Sequence, residues 1–227
     1  MINQAVTYLT ATLVIYYAAK WVYRKYPRVY LSPLLITPAI LVVVLLTTHA
    51  SYSSYNEGGV WLSKLLQPAT VAFAVPLYKN LQTLKKHAGE IFASVLFGSI
   101  MAMLSSALLA RMMHLNGELA SSLVPRSVTT PIAMNVSQMI GGVPTITAVF
   151  VIMTGLLGAM MGPSVVKVLR IDGDIARGIL FGTSAHGTGT SKAFELNALT
   201  GTVSSISMIL AALFTLLGAP MLLGLLG

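Results

Sequence analysis

Two stretches of this 227-residue chain carry polar side chains at a spacing that could handle a small anion. The first reads VPRSVTTPIAMNVSQMIGGVP, from Val124 to Pro144, and the second reads GTSAHGTGTSKAFE, from Gly182 to Glu195. Arg126 can grip a carboxylate through two parallel hydrogen bonds. Ser127, Thr129, Thr130 and Asn135 add neutral hydrogen-bonding groups beside it. In the second stretch Thr183, Ser184, Thr188 and Thr190 supply hydroxyl donors, and His186 has an ordinary pKa of about 6.5, so it could take up a proton near neutral pH. Pro125 and Pro131 remove backbone donors. Gly182, Gly187 and Gly189 permit backbone that other residues avoid. Both stretches should therefore break as helices. A broken helix offers unpaired N–H groups and the positive end of its dipole, which suit an anion.

Each residue also has a plainer use. Ser and Thr in membrane helices often bond their own backbone or let helices approach. An arginine near a boundary can extend its head to the interface. A lone histidine can simply donate to a carbonyl. Lys192 and Glu195 stand three apart and can pair. The case for a binding site rests on the cluster, not on one side chain.

The surroundings of these stretches are membrane-like. Hydrophobic residues make up 56% of the chain and charged ones 9%, against about 25% charged in a soluble domain. That leaves too little polar surface to cover a globule in water. The chain reads as all-α: a polytopic transmembrane helical bundle, one integral domain over residues 1–227. Residues 1–116 form N-terminal helices, and residues 117–227 hold the polar hairpins. Apolar runs at Ala5–Ala19, Tyr30–Thr48, Gly59–Leu77, Ala88–Ala110, Val143–Val166 and Val203–Leu226 approach the roughly 20 residues that cross a bilayer. The first run has its positive charges after it, opposite to a signal peptide, and reads as a retained helix with the N-terminus outside.

Lys and Arg collect in cytoplasmic loops. Lys20–Arg28, Lys79–His87 and Lys167–Arg177 should then lie inside, and the loop His49–Gly58, with no Lys or Arg, outside. All three clusters can be inside only if Leu119–Gly142 enters and leaves on the outer face. Both polar stretches are accordingly expected to be interrupted or re-entrant hairpins that meet around a polar cavity. A faint repeat accompanies them at an interval of 57 residues: Pro68, Thr70 and Val71 against Pro125, Ser127 and Val128, and Gly98 against Gly155.

The 14 Lys and Arg against 6 Asp and Glu would suggest nucleic acid in a soluble protein. Here membrane topology accounts for them, and no aromatics interleave with them to stack bases. Cysteine is absent, which excludes disulfides and thiolate chemistry. The four histidines, at 49, 87, 114 and 186, have no metal-ligand spacing. There is no H-E-x-x-H and no G-x-S-x-G. The expectation is no enzyme, no metal and no cofactor.

PRSVTTPIAM (Pro125–Met134), followed by IGGVPTITA (Ile140–Ala148) and then AHGTGTSKAFE (Ala185–Glu195), resembles the LrgB/CidB family of bacterial membrane proteins. The family pattern more often has Lys at Arg126, Ile at Thr188, Ala at Ser191 and Arg at Lys192. The extra hydroxyls make this chain's second stretch more polar. The resemblance implies a multi-pass protein of the bacterial cell membrane, and it implies two functions. One is holin- or antiholin-like: a pore or a regulator of murein hydrolase export and autolysis, working with a small LrgA/CidA-type membrane protein. The other is transport, because the family includes pyruvate facilitators and is related to the C-terminal half of the plastid glycolate/glycerate translocator. A simple pore needs no buried polar hairpins. The reading favoured here is a transporter of small monocarboxylates, with Arg126, Ser127, Thr129, Thr130, Asn135, Thr183, Ser184, His186, Gly187, Thr188, Gly189 and Thr190 as its binding residues. Proton coupling through His186, a homo-oligomer and the lipid bilayer complete the expectation. A scaffold for the smaller partner is a third reading, which leaves the hydroxyl-rich hairpins without a purpose.

Overall fold

The computed structural model of the chain describes residues 2–26, 31–65, 68 and 74–226. Two compact units divide it, Met1–Ala72 and Phe73–Gly227. Among the described residues the regular structure is helical.

The first unit holds α1 (Ile2–Lys25), α2 (Pro33–Thr47) and α3 (Tyr52–Lys64). Pro33 opens α2, where its missing N–H costs nothing. The polar run expected as the loop His49–Gly58 is helical from Tyr52 onward. Ser51 caps that start by accepting from the Ser54 N–H at 3.2 Å, and such a cap satisfies one of the orphan donors of a helix end. The helix is also fixed by its packing on α1. A Cβ on Gly58 would stand 2.5 Å from the Ala5 carbonyl oxygen, and the Tyr8 and Tyr55 rings meet edge to face at 5.9 Å. The expected span Gly59–Leu77 is thus helical only to Lys64 before it passes through residues outside the description, Thr70 and Val71 of the repeat among them.

The second unit runs α4 (Ala74–Lys79), α5 (Leu81–Lys86), α6 (Ala88–Met112), α7 (Gly117–Leu123), α8 (Thr130–Met139), α9 (Pro144–Val168), α10 (Asp174–Leu196) and α11 (Ala198–Leu226). Three of these helices are long and apolar enough to cross a membrane: α6, α9 and α11 through Leu222. They match the sequence expectation to within a few residues. α6 buries one stripe, Ile91, Val95, Ser99, Met103, Ser106 and Ala110, the spacing of one helix face.

α10 is a hairpin, not a rod. A straight helix of its 23 residues would hold its ends about 33 Å apart. Instead Asn197, just past the last residue, donates through Nδ2 to Asp174 Oδ1 at the first, at 2.9 Å. The Thr200 hydroxyl donates to the same oxygen at 3.3 Å. The chain reverses at Ala185 and His186, whose backbone is non-helical. Beyond the reversal, a Cβ on Gly189 would lie 2.3 Å from the carbonyl oxygen of Phe181 in the first arm.

α7 and α8 form the other hairpin. Residues 124–129 are turn and extended chain. Val143, beyond the second arm, donates its N–H to Ser122 Oγ in the first at 2.7 Å. A Cβ on Gly142 would stand 2.8 Å from the Ser122 nitrogen. Thr129 takes extended dihedrals and Pro131 lies within the first turn of α8, so the prolines set the break where the sequence places it.

Packing fixes the relative direction of the long helices. Phe92 meets Phe214 at 5.1 Å between ring centroids, and a Cβ on Gly218 would touch the Met103 terminal methyl at 3.0 Å. Contacts that advance together along both chains make α6 and α11 parallel. Against α9 the first arm of α10 runs the other way: Gly162 faces Phe181, Gly158 faces Ala185 and Gly155 faces His186. With α10 returning to the side it left, α6 and α11 can be parallel only if α7–α8 also returns to its own side. The two hairpins therefore enter from opposite ends of the unit.

Candidate functional site

The hairpin reversals approach one another beside α9. A cavity of about 320 Å³ lies there, lined by Arg126 from the first reversal, Ser184 and Leu180 from α10, and Thr154, Gly158 and Met161 from α9. The Arg126 side chain is held from behind, since Nε donates to Ser106 Oγ on α6 at 2.9 Å. Ser106 is fully buried. Such a brace leaves the terminal guanidinium nitrogens to serve the cavity and fixes the side chain's direction in advance. The Ser184 hydroxyl donates to the Leu180 carbonyl at 2.6 Å, and its oxygen can still accept from a ligand or a water. Small volume, apolar walls and a few convergent polar groups are the usual make-up of a small-molecule site.

The remaining candidate residues divide by place. Ser127 is buried in the first reversal, and Thr129 and Thr130 are half-buried at the start of α8. Asn135 is exposed on α8, away from the cavity lining. Thr183 donates to Ile179 O at 2.7 Å and lies against Gly98 of α6. Thr190 is fully buried and shares a 2.9 Å hydrogen bond with Ser204 of α11. Thr188 stands against Gly155. The structure brings Arg126 and Ser184 together on one cavity, while Thr183 bonds its own helical turn and Thr190 ties the hairpin to α11.

His186 is buried behind the reversal. Its Nε2–H donates to the Val151 carbonyl of α9 at 3.0 Å. Its ring packs where a Cβ on Gly155 would otherwise lie, 2.7 Å from Nε2. His186 is outside the cavity lining. Its φ of 41° is the positive value usually left to glycine. The neighbouring glycines have a different use from the one expected. Of all described glycines only Gly141 has a positive φ. Gly182 and Gly189 are contact points, with backbone oxygens 2.3 Å from where a Cβ would be, while Gly187 has room.

Sequence reasoning missed the α9 face and the brace. Gly155, Gly158 and Gly162 form a small-residue stripe that lets a neighbouring helix approach closely, and that spacing was visible. Ser106 carried no signal, because its pairing with Arg126 is purely tertiary.

The fold and site define a helical membrane protein with two opposed re-entrant hairpins and an arginine at their junction. The LrgB-like family model matches residues 12–225, and the chain belongs to that family. It is 61% identical over 215 residues to the uncharacterized protein YwbG of Bacillus subtilis, covering 95% of this chain and 96% of that one. It is 39% identical over 208 residues to YxaC of the same organism, covering 92% and 90%. The holin-like protein CidB of Staphylococcus aureus is 36% identical over 220 residues, covering 97% of this chain and 96% of CidB. No solved structure gives a significant match. The chain is a multi-pass protein of the bacterial cell membrane.

Proposed function

We propose that the protein carries small organic-acid anions of the pyruvate or glycolate kind across the membrane, with Arg126 as the carboxylate contact. The observation that supports this most directly is the braced Arg126 on a cavity shared by both hairpins. A cation held at membrane depth is expensive and marks a substrate path more often than a packing device. The apolar α9 wall suits the short carbon skeleton, and Ser184 suits a keto or hydroxy group.

A second reading has its own support. The printed name of the CidB relatives, holin-like, favours a pore or an export regulator. It speaks for that alternative more directly than for a carrier. A small LrgA/CidA-type partner belongs to this second reading.

Uptake of labelled pyruvate, glycolate and lactate into proteoliposomes tests the proposal. Saturable flux that distinguishes the three acids supports the carrier. Leakage of an unrelated dye at the same protein density supports the pore and contradicts the carrier.

A further inference from the structure

The 57-residue interval between Gly98 and Gly155 recurs throughout the second unit. α7 begins at Gly117 and α8 ends at Met139; α10 begins at Asp174 and ends at Leu196. Both pairs of bounds stand 57 apart, so each hairpin is the same length of chain. α6 (Ala88–Met112) and α9 (Pro144–Val168) each hold 25 residues and stand 56 apart. Each spanning helix is followed by its hairpin, and the two hairpins enter from opposite ends. The unit is thus an inverted repeat, helix plus hairpin twice, closed by α11.

Besides the α9 cavity, the repeat holds another among the described residues. The second, of about 520 Å³, is lined by Met101, Leu104, Ser105 and Leu108 of α6, Val124 beside the first reversal, and Arg111 at the mouth. The α6 positions are the repeat counterparts of Gly158, Met161, Gly162 and Val165, which line the first cavity from α9. Four matched positions at one interval are not expected of two unrelated grooves. The cavities differ in depth. The α9 cavity reaches Arg126 and Ser184 at both reversals. The α6 cavity stops short of them. There Thr183 lies 3.9 Å from where a Cβ of Gly98 would be, and Gly98 is the counterpart of Gly155.

We infer that the α6 cavity is the second vestibule of the transport path, related to the α9 cavity by the inverted repeat, and that the two reach Arg126 alternately. Arg111 at its mouth receives the carboxylate from the outer side. The inference rests on the carrier reading above and deepens it. Repeated halves of opposite topology allow a site between them to be opened by either half in turn. In this arrangement the α9 cavity reaches Arg126 and Ser184 and the α6 cavity does not.

The chain has no cysteine, so single cysteines report cleanly. The test uses the full-length variants Leu104→Cys and Met161→Cys, with Leu108→Cys and Val165→Cys as a second counterpart pair should either of the first fail to insert. An impermeant thiol reagent is applied to intact cells and to inside-out vesicles without substrate. The expected result is reaction at position 104 from outside alone and at 161 from inside alone. In the double variant, a bulky adduct at 104 should hold the outer half open and cause loss of labelling at 161. Labelling of both positions from one side, absence of labelling at 104 and 108 from outside, or labelling at 161 indifferent to the adduct would overturn the inference. The readout needs no transported acid. Side-specific, mutually exclusive labelling without carboxylate uptake would reject the substrate class and leave the two-vestibule path standing. Uptake with labelling at 161 indifferent to the adduct would reject the path.

Discussion

At Arg126 and His186 the side chains sort into one that faces the cavity and one that holds it. Arg126→Gln removes the charge and keeps much of the bulk. Its loss should weaken carboxylate affinity by at least about tenfold, since hydrogen bonds to charged groups contribute about 1.5–3 kcal/mol. Arg126→Lys should be milder in effect if the contact is a point charge, and as severe if the contact is a bidentate fork. Concentration dependence of uptake reads both. If Arg126→Gln keeps its affinity, the guanidinium is a structural tie to Ser106 and nothing more. His186 donates through Nε2–H whether its ring is neutral or protonated, so titration leaves the Val151 bond in place. The pH profile of uptake in His186→Gln should therefore match the native profile, whereas a proton-coupling histidine would flatten it. The positive φ gives a separate test. His186→Ala loses the bond and keeps the strain, which is worth about 1–3 kcal/mol at such positions. His186→Gly loses the bond and relieves the strain, and should melt at the higher temperature of the two.

The hairpins depend on close backbone approach, and at this scale the sequence was readable in part. Prolines 125 and 131, and the glycine-rich run after Leu180, correctly marked two breaks. The charge clusters at Lys79–Lys86 and Lys167–Arg177 correctly required the first hairpin to return. The sequence could not assign the glycines, because flexibility and close packing call for the same residue. Packing proves to be the reason at Gly182, where the Ser204 carbonyl oxygen would be 2.3 Å from a Cβ, and freedom the smaller matter. Gly182→Ala should destabilise by about 1–3 kcal/mol or more, the range for forcing atoms into a filled core. Gly187→Ala, with Met208 Sδ as its nearest neighbour at 4.0 Å, should be almost silent. Thermal unfolding in detergent compares the two, and equal losses would contradict the packing account. The start of α3 differs from expectation for a related reason: polarity points to a loop over His49–Gly58, and the cap at Ser51 with the contact to α1 outweighs it from Tyr52 onward.

Across the whole molecule, the three spans and two returning hairpins place α4–α5 and the α9–α10 turn on one side of the membrane. From the basic residues there, that side is expected to face the cytoplasm. A cysteine at position 170 should resist an impermeant thiol reagent in intact cells and react in inside-out vesicles. The opposite result would invert the orientation. The long apolar helices were plain from hydropathy, because membrane crossing is a matter of length and composition. A cavity where the two hairpins meet is expected from their polar residues, but its largely apolar α9 wall is not, since that wall depends on which faces of α9 and α10 pack together.

The central claim is that one site between the two hairpins is reached from either side in turn. Exchange across a proteoliposome membrane tests it most directly. Vesicles loaded with unlabelled pyruvate are diluted into labelled pyruvate, and the internal label is followed with time. A site that alternates returns loaded faster than empty, so the account predicts a transient accumulation of label above its final level, absent in Arg126→Gln. A monotonic rise to equilibrium, unaffected by internal pyruvate, is the behaviour of an open pore and would contradict the account.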